Sequence, residues 1–205
     1  MPRKNRIWYP GAIYHVMSRG NRRSEIFLKD NDYELFLMYL KMIRDKLGFK
    51  IHSICLMTNH FHILIETETV ELSKIMQKLL SMYAEEFNYI HGFTGHLFEG
   101  RYTAKLIEDE RYFLEVSRYI HLNPVKANMV REPLDYDYSS YGMFVEGKAV
   151  LQGIISEIVT TDRILEYFDQ GDWKEYRMFV EGKNSHEEQE MLIQKDMKEN
   201  DMWLP

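Results

Sequence analysis

The sequence predicts an α+β sandwich with a largely antiparallel sheet, followed by a mainly helical, acidic C-terminal extension. Three observations carry that expectation. Short segments rich in β-forming residues and longer amphipathic segments follow one another in the order strand, helix, strand, strand, helix, strand, helix. The composition, 45% hydrophobic and 14% aromatic over 205 residues, is enough to bury a core of one domain with an appendage. The charge then reverses along the chain. Residues 1–131 carry 19 Lys and Arg against 15 Asp and Glu, and residues 132–205 carry 7 against 17. A basic body suits a polyanionic partner, and the acidic tail reads as a solvating or self-shielding segment.

Each element follows from local chemistry. Ala12 to Ser18 reads as a strand, and Arg19-Gly20-Asn21-Arg22-Arg23 as a turn loaded with positive charge. Asp30 or Asn31 supplies an N-cap for a helix whose apolar face is Tyr33, Phe36, Leu37, Leu40, Ile43 and Leu47; Gly48 closes it. Phe49 to Met57 is a strand, Thr58-Asn59 a turn, and His60 to Glu66 the returning strand. A second helix runs from about Glu71 to Ile90 on Leu72, Ile75, Met76, Leu79, Leu80, Tyr83 and Phe87. After a loop at 92–101, Tyr102–Ile107 reads as a strand. Asp109 caps a third helix, which Pro124 is expected to stop near Leu122. Beyond Pro133 aromatic and acidic residues mix, a further helix is expected from near Thr161, Trp173, Tyr176, Phe179 and Val180 supply enough apolar content to dock onto the body, and 184–200 is highly charged. The domain edge falls near 145, dividing a domain at 1–145 from an acidic extension at 146–205.

The same composition excludes several classes. No apolar stretch approaches the ~20 residues of a membrane span, so no membrane partner is expected. No apolar signal core follows Met1-Pro2-Arg3-Lys4-Asn5-Arg6, which places the expected site of action in the cytoplasm. A single cysteine, Cys55, rules out an internal disulfide and a multi-cysteine zinc site.

Two features carry chemistry. His60-Phe61-His62 opens a strand, so the two imidazoles share a face while Phe61 points to the other layer. Imidazoles so placed form a two-toothed metal clamp, or else a pair of partly exposed surface histidines. Leu64 and Glu66 continue their face; Phe61, Ile63 and Ile65 form the core side. The second feature is Arg118-Tyr119-Ile120-His121-Leu122-Asn123-Pro124. Tyr119 and Asn123 lie four residues apart on one helical face, with Glu115 a turn earlier.

Together these resemble one family. His60-Phe61-His62 is similar to the histidine-hydrophobe-histidine motif of the HUH single-strand endonucleases, and Arg118 to Pro124 resembles the nucleophile helix of single-tyrosine transposases. More narrowly, four blocks in order resemble the REP-associated tyrosine transposases, relatives of the insertion-sequence transposases that act on single-stranded DNA. They are Tyr14 to Asn21, Met57 to His62, Phe98 to Tyr102 and Tyr119 to Val125. The resemblance spans about residues 7 to 145.

It implies a ferredoxin-like sheet with helices on one face, His60 and His62 as ligands of a divalent metal, and Tyr119 as nucleophile on a DNA phosphate. Asn123 stands where related transposases place a polar third ligand, with His15, His121 or Glu66 as alternatives. A free phenol titrates near ~10 and is a poor nucleophile at neutral pH. A divalent ion offsets this by polarising the phosphate and neutralising charge in the transition state. Two imidazoles and an oxygen ligand suit Mg²⁺ or Mn²⁺, with the nitrogens favouring Mn²⁺. The product is a 5′-phosphotyrosine and a free 3′-hydroxyl.

The implied partner is single-stranded or hairpin DNA from a repeated palindrome. Arg3, Lys4 and Arg6 form a candidate arm, Arg19, Arg22 and Arg23 crowd the first turn, and Arg101 and Lys105 flank the strand before the nucleophile helix. Trp8 and Tyr9 are candidate stacking platforms for unpaired bases. Related proteins include dimers, so a homodimer is compatible with the chain. Two other readings remain: a domesticated relative that holds hairpins without cutting, and a zinc hydrolase, which lacks a strong third ligand.

Overall fold

The computed structural model describes residues 7–145, 153–182, 191 and 193–195. Four strands, β1 (Ile13–Arg19), β2 (Phe49–Met57), β3 (His60–Thr67) and β4 (Thr103–Ile107), form one sheet in the order β2-β3-β1-β4. All three pairings are antiparallel. With α1 (Asp30–Leu47) and α2 (Leu72–His91) as the two crossovers, this is the ferredoxin-like βαββαβ arrangement.

The period-two alternation divides the sheet cleanly. Val16, Ile54, Leu56, Phe61, Ile63 and Ile65 point to one face, where α1 and α2 cover them. Phe36 of α1 meets Phe61 at 4.9 Å between ring centroids and Tyr83 of α2 at 5.1 Å. The expectation of helices on one face therefore holds for these two. The third, α3 (Glu110–Lys126), lies across the opposite face with the histidines. Both faces are consequently buried, and β3 is buried along its whole length after His60.

Two helix ends differ from expectation for identifiable reasons. The cap of α1 is Lys29 rather than Asp30 or Asn31, because the Asp32 carboxylate accepts the backbone N–H groups of Leu28 and Lys29 at 2.8 and 2.9 Å. At the other end Gly48 takes φ +64°, a value that favours glycine. Pro124 does not stop α3, which continues to Lys126. Pro124 has no N–H for the Ile120 carbonyl, and the Asn123 side chain fills in: its Nδ2 donates to Tyr119 O at 2.8 Å and to Ile120 O at 3.5 Å.

The chain after α3 packs back on the body. It forms α4 (Gly142–Val145), α5 (Ile154–Ile158), α6 (Asp162–Leu165) and α7 (Trp173–Glu181). The helix expected from near Thr161 is the single turn α6. Thr160 N–H donates to Ile51 O at 2.8 Å, so this segment covers the β2 edge. On α7, Tyr176 and Val180 are buried and Phe179 packs beside them, whereas Trp173 is 40% exposed, against the expectation that it docks. Most of the charged stretch 184–200 lies outside the described residues. Among the described residues no helix is long and apolar enough to cross a membrane.

Candidate functional site

The Thr58-Asn59 turn delivers His60 and His62 to the α3 face of the sheet, their ring centroids 5.1 Å apart. Each ring is held through Nδ1. Asn59 Nδ2 donates to Arg23 O at 3.2 Å, which directs its Oδ1 to His60 Nδ1 at 2.7 Å. That oxygen only accepts, so His60 carries its hydrogen on Nδ1 and a lone pair on Nε2. His62 Nδ1 meets Nε2 of the fully buried His15 at 3.0 Å. Burial holds the pair neutral, the form that ligates metals. It lowers His60 to about 4, with the Arg19 charge adding, and pushes His62 well below its ordinary value, with His60 and His15 adding.

Helix α3 brings Tyr119 over this pair. Its ring centroid lies 5.5 Å from His62 and 5.8 Å from His15, edge-on to both, and the residue is 8% exposed. Lys126, two turns further along α3, places its Nζ 5.1 Å from the Tyr119 ring centroid. Asn123 stands one turn beyond Tyr119, its amide nitrogen committed to the helix backbone. His60, His62 and Tyr119 thus converge from elements distant in sequence. Lys126 escaped the sequence reading, although its seven-residue spacing from Tyr119 puts both on one helical face.

The alternatives for a third ligand are placed elsewhere or otherwise engaged. His121 is buried between Tyr176 Oη at 2.7 Å and Ser140 Oγ at 2.9 Å. Glu66 accepts from His52 Nε2 at 2.9 Å and pairs with Lys50 and Arg163. His15 already bonds His62. Among the described residues no three His, Cys, Asp or Glu side chains group as a metal cage. The donor set present fits an ion held by two imidazoles and completed by oxygens, such as an amide, water or phosphate.

The basic turn is fastened to the histidine end of the sheet. Arg19 pairs with His60 across β1 and β3, and Gly20 N–H donates to Asn59 O at 2.9 Å. A Cβ on Gly20 would stand 2.0 Å from Ser24 O, so no side chain fits there. Arg22 and Arg23 are exposed, and both adopt left-handed φ, 54° and 60°. The 92–101 loop runs alongside: Asn21 N–H donates to Leu97 O, and Arg19 pairs with Glu99 at 2.8 Å. Arg101 is exposed, and Lys105 lies opposite His15 on β4. Arg3, Lys4 and Arg6 lie outside the described residues. Trp8 is half-buried, and its Nε1 donates to Thr67 Oγ1 at 3.1 Å, at the end of β3 away from His60.

With this geometry in place, the family can be assigned. The family model for IS200-like transposases matches residues 9–123, more than half of the chain. The chain belongs to the IS200-like transposases. The solved structure of a REP-associated tyrosine transposase bound to a REP hairpin matches with TM-score 0.61 and 18% identity, over 78% of this chain and 93% of that one. The two share their fold. A crystal structure of a proposed transposase from Deinococcus radiodurans R1 matches with TM-score 0.41 and 15% identity, over 62% of this chain and 92% of that one. No curated protein matches. In this IS200-like transposase the matched segment runs from just before β1 to Asn123, and so contains both histidines and Tyr119.

Proposed function

We propose that this IS200-like transposase cuts and rejoins single-stranded DNA beside hairpins of repeated palindromes, with Tyr119 as nucleophile and a divalent ion, Mg²⁺ or Mn²⁺, at His60 and His62. The observation that carries the reading is the placement of Tyr119 across the face of His62 at 5.5 Å, from an α3 that is buried against the sheet. The hairpin follows the REP hairpin carried by the structural neighbour.

The chemistry balances without water. Tyr119 Oη loses its proton as the Oη–P bond forms, the P–O3′ bond breaks, and the departing 3′-oxygen takes up a proton. The phosphodiester energy is kept in the 5′-phosphotyrosine for the return attack by a 3′-hydroxyl. Lys126 favours negative charge on the phenol through its position over the ring. His60 and His62, neutral and held at Nδ1, offer Nε2 to the ion, with Asn123 as third donor. When bound, the ion polarises the scissile phosphate and neutralises developing charge. Arg22, Arg23 and Arg101 track phosphates along the rim of the site.

Hairpin oligonucleotides labelled on the 3′ side of the cut test this with Mn²⁺ or Mg²⁺ on denaturing protein gels. Label is expected to remain covalently attached to the wild-type protein and to vanish in Tyr119→Phe and His60→Ala. Cleavage that persists in Tyr119→Phe rejects Tyr119 as nucleophile. Tight binding with no cleavage of any hairpin identifies a binding module instead.

A further inference from the structure

His15 has no place in the scheme above, yet it lies against both His62 and Tyr119. It lies on the central strand β1, with no exposed surface. Its Nε2 is 3.0 Å from His62 Nδ1, and its Nδ1 has no hydrogen-bond partner among the described residues. Its ring stands edge-on to Tyr119, at 5.8 Å.

One hydrogen is shared between His15 Nε2 and His62 Nδ1, and only two arrangements satisfy the contact. If His15 donates from Nε2, the neutral His62 carries its own hydrogen on Nε2, and that nitrogen has no lone pair for a metal. If His62 donates from Nδ1, its Nε2 presents a lone pair, and His15 carries its hydrogen on Nδ1. The neighbouring ligand shows the same design resolved: His60 donates from Nδ1 to an amide oxygen, which fixes its Nε2 as the ligating atom. A buried Nδ1–H on His62 needs an acceptor, and the depth of the site leaves water no way to replace one.

We propose that His15 is the positioning residue of the metal site: it accepts the Nδ1–H of His62 and thereby aims His62 Nε2, in the correct tautomer, at the divalent ion. The inference rests on the metal reading given under Proposed function. His15 itself touches neither ion nor DNA in this role. It acts through His62, as outer carboxylates and carbonyls do for histidine ligands elsewhere. His15 Nδ1 is without a partner among the described residues in either tautomer, so no other contact fixes His15 against the tautomer that His62 requires.

The test uses the full chain with Mn²⁺ as probe, followed by its electron paramagnetic resonance on titration. Wild type is expected to bind one ion that His62→Ala loses. His15→Leu, which fills the volume but accepts nothing, is expected to weaken binding by roughly 10–100-fold at unchanged Tm. His15→Gln, whose Oε1 accepts, is expected to recover most of the affinity. In parallel, ¹⁵N chemical shifts of histidine-labelled, Zn²⁺-loaded wild type are expected to show His62 protonated at Nδ1 and ligated at Nε2. Equal Mn²⁺ affinity in wild type and His15→Leu, or His62 ligated through Nδ1, overturns the role of His15 while leaving the metal reading intact. Absence of His62-dependent Mn²⁺ binding in wild type overturns the metal reading itself, and this proposal with it. Should His15→Leu fail to fold, His15→Gln and the wild-type shifts decide: ligation through Nδ1, or affinity in His15→Gln no better than in His62→Ala, rejects the role.

Discussion

At the scale of single residues, polar groups on the α3 face of the sheet divide into two sets. His60, His62 and Tyr119 converge at one end. Toward the other, Glu66 accepts from His52 and pairs with Arg163 and Lys50, and Arg163 also stacks over Phe113 at 5.7 Å. The His52 hydrogen bond, followed by the Arg163 charge, lowers the Glu66 carboxyl from 4.5 to about 2 against the opposing effect of burial. The native state therefore prefers the ionised form more strongly than the unfolded chain does. Its contribution to stability is complete above about pH 4.5 and is lost as the pH falls towards 2. Glu66→Gln should lower stability at pH 7 and flatten the acid limb between those values. Urea unfolding repeated from pH 2 to 7 measures both, and an unchanged acid limb would show that the cluster has no role in holding Arg163 and α6 to the sheet.

Elements were legible where their signals were local, and blurred where a side chain overrode them. The β2–β3 hairpin was read closely because a two-residue turn separates two runs of β-forming residues. The end of α3 was misplaced because Asn123 supplies the hydrogen bonds that Pro124 cannot. The role of α7 was read only in part. Its apolar residues foretold docking, but not that Tyr176 would sit beneath α3, bonded to His121 Nδ1 at 2.7 Å and Ser117 Oγ at 3.2 Å. Such a contact joins side chains that share no pattern, so the apolar content of Trp173, Tyr176, Phe179 and Val180 could not specify it. It makes α7 a brace for α3, with Arg118 Nε donating to Phe179 O at 3.0 Å beside it. Tyr176→Ala is expected to cost about 3–5 kcal/mol, in the range of other large aromatic truncations. Tyr176→Phe, which keeps the ring, should cost about 1 kcal/mol. Chemical denaturation distinguishes the two, and a loss below 1 kcal/mol in Tyr176→Ala would mean that α3 stands without its brace.

For the molecule as a whole, the order of secondary-structure elements specified an α+β sandwich with a largely antiparallel sheet, and the family resemblance its ferredoxin-like form, whereas the strand order placing His15 beside His62 depends on pairings between distant segments. Charge was misleading as a total and legible as a map. The net charge is −6, yet Arg22, Arg23 and Arg101 stand exposed at the histidine end. Lys41 and Arg44 spend their charge on Asp45, and Lys41 also pairs with Glu157 on α5. DNA should therefore sense the rim rather than the sum. Each phosphate neutralised on a single strand contributes about 0.7 to the slope of log affinity against log salt concentration. Replacing both Arg22 and Arg23 by Ala should reduce that slope by about 1–2 for a hairpin with a single-stranded flank, while Lys41→Ala leaves it unchanged. Fluorescence anisotropy from 50 to 300 mM NaCl gives the slopes directly. An equal slope in wild type and the double variant would move the DNA path off the first turn, whatever the fate of Tyr119 as nucleophile. A fall produced equally by Lys41→Ala would show that long-range charge, not the rim, governs binding.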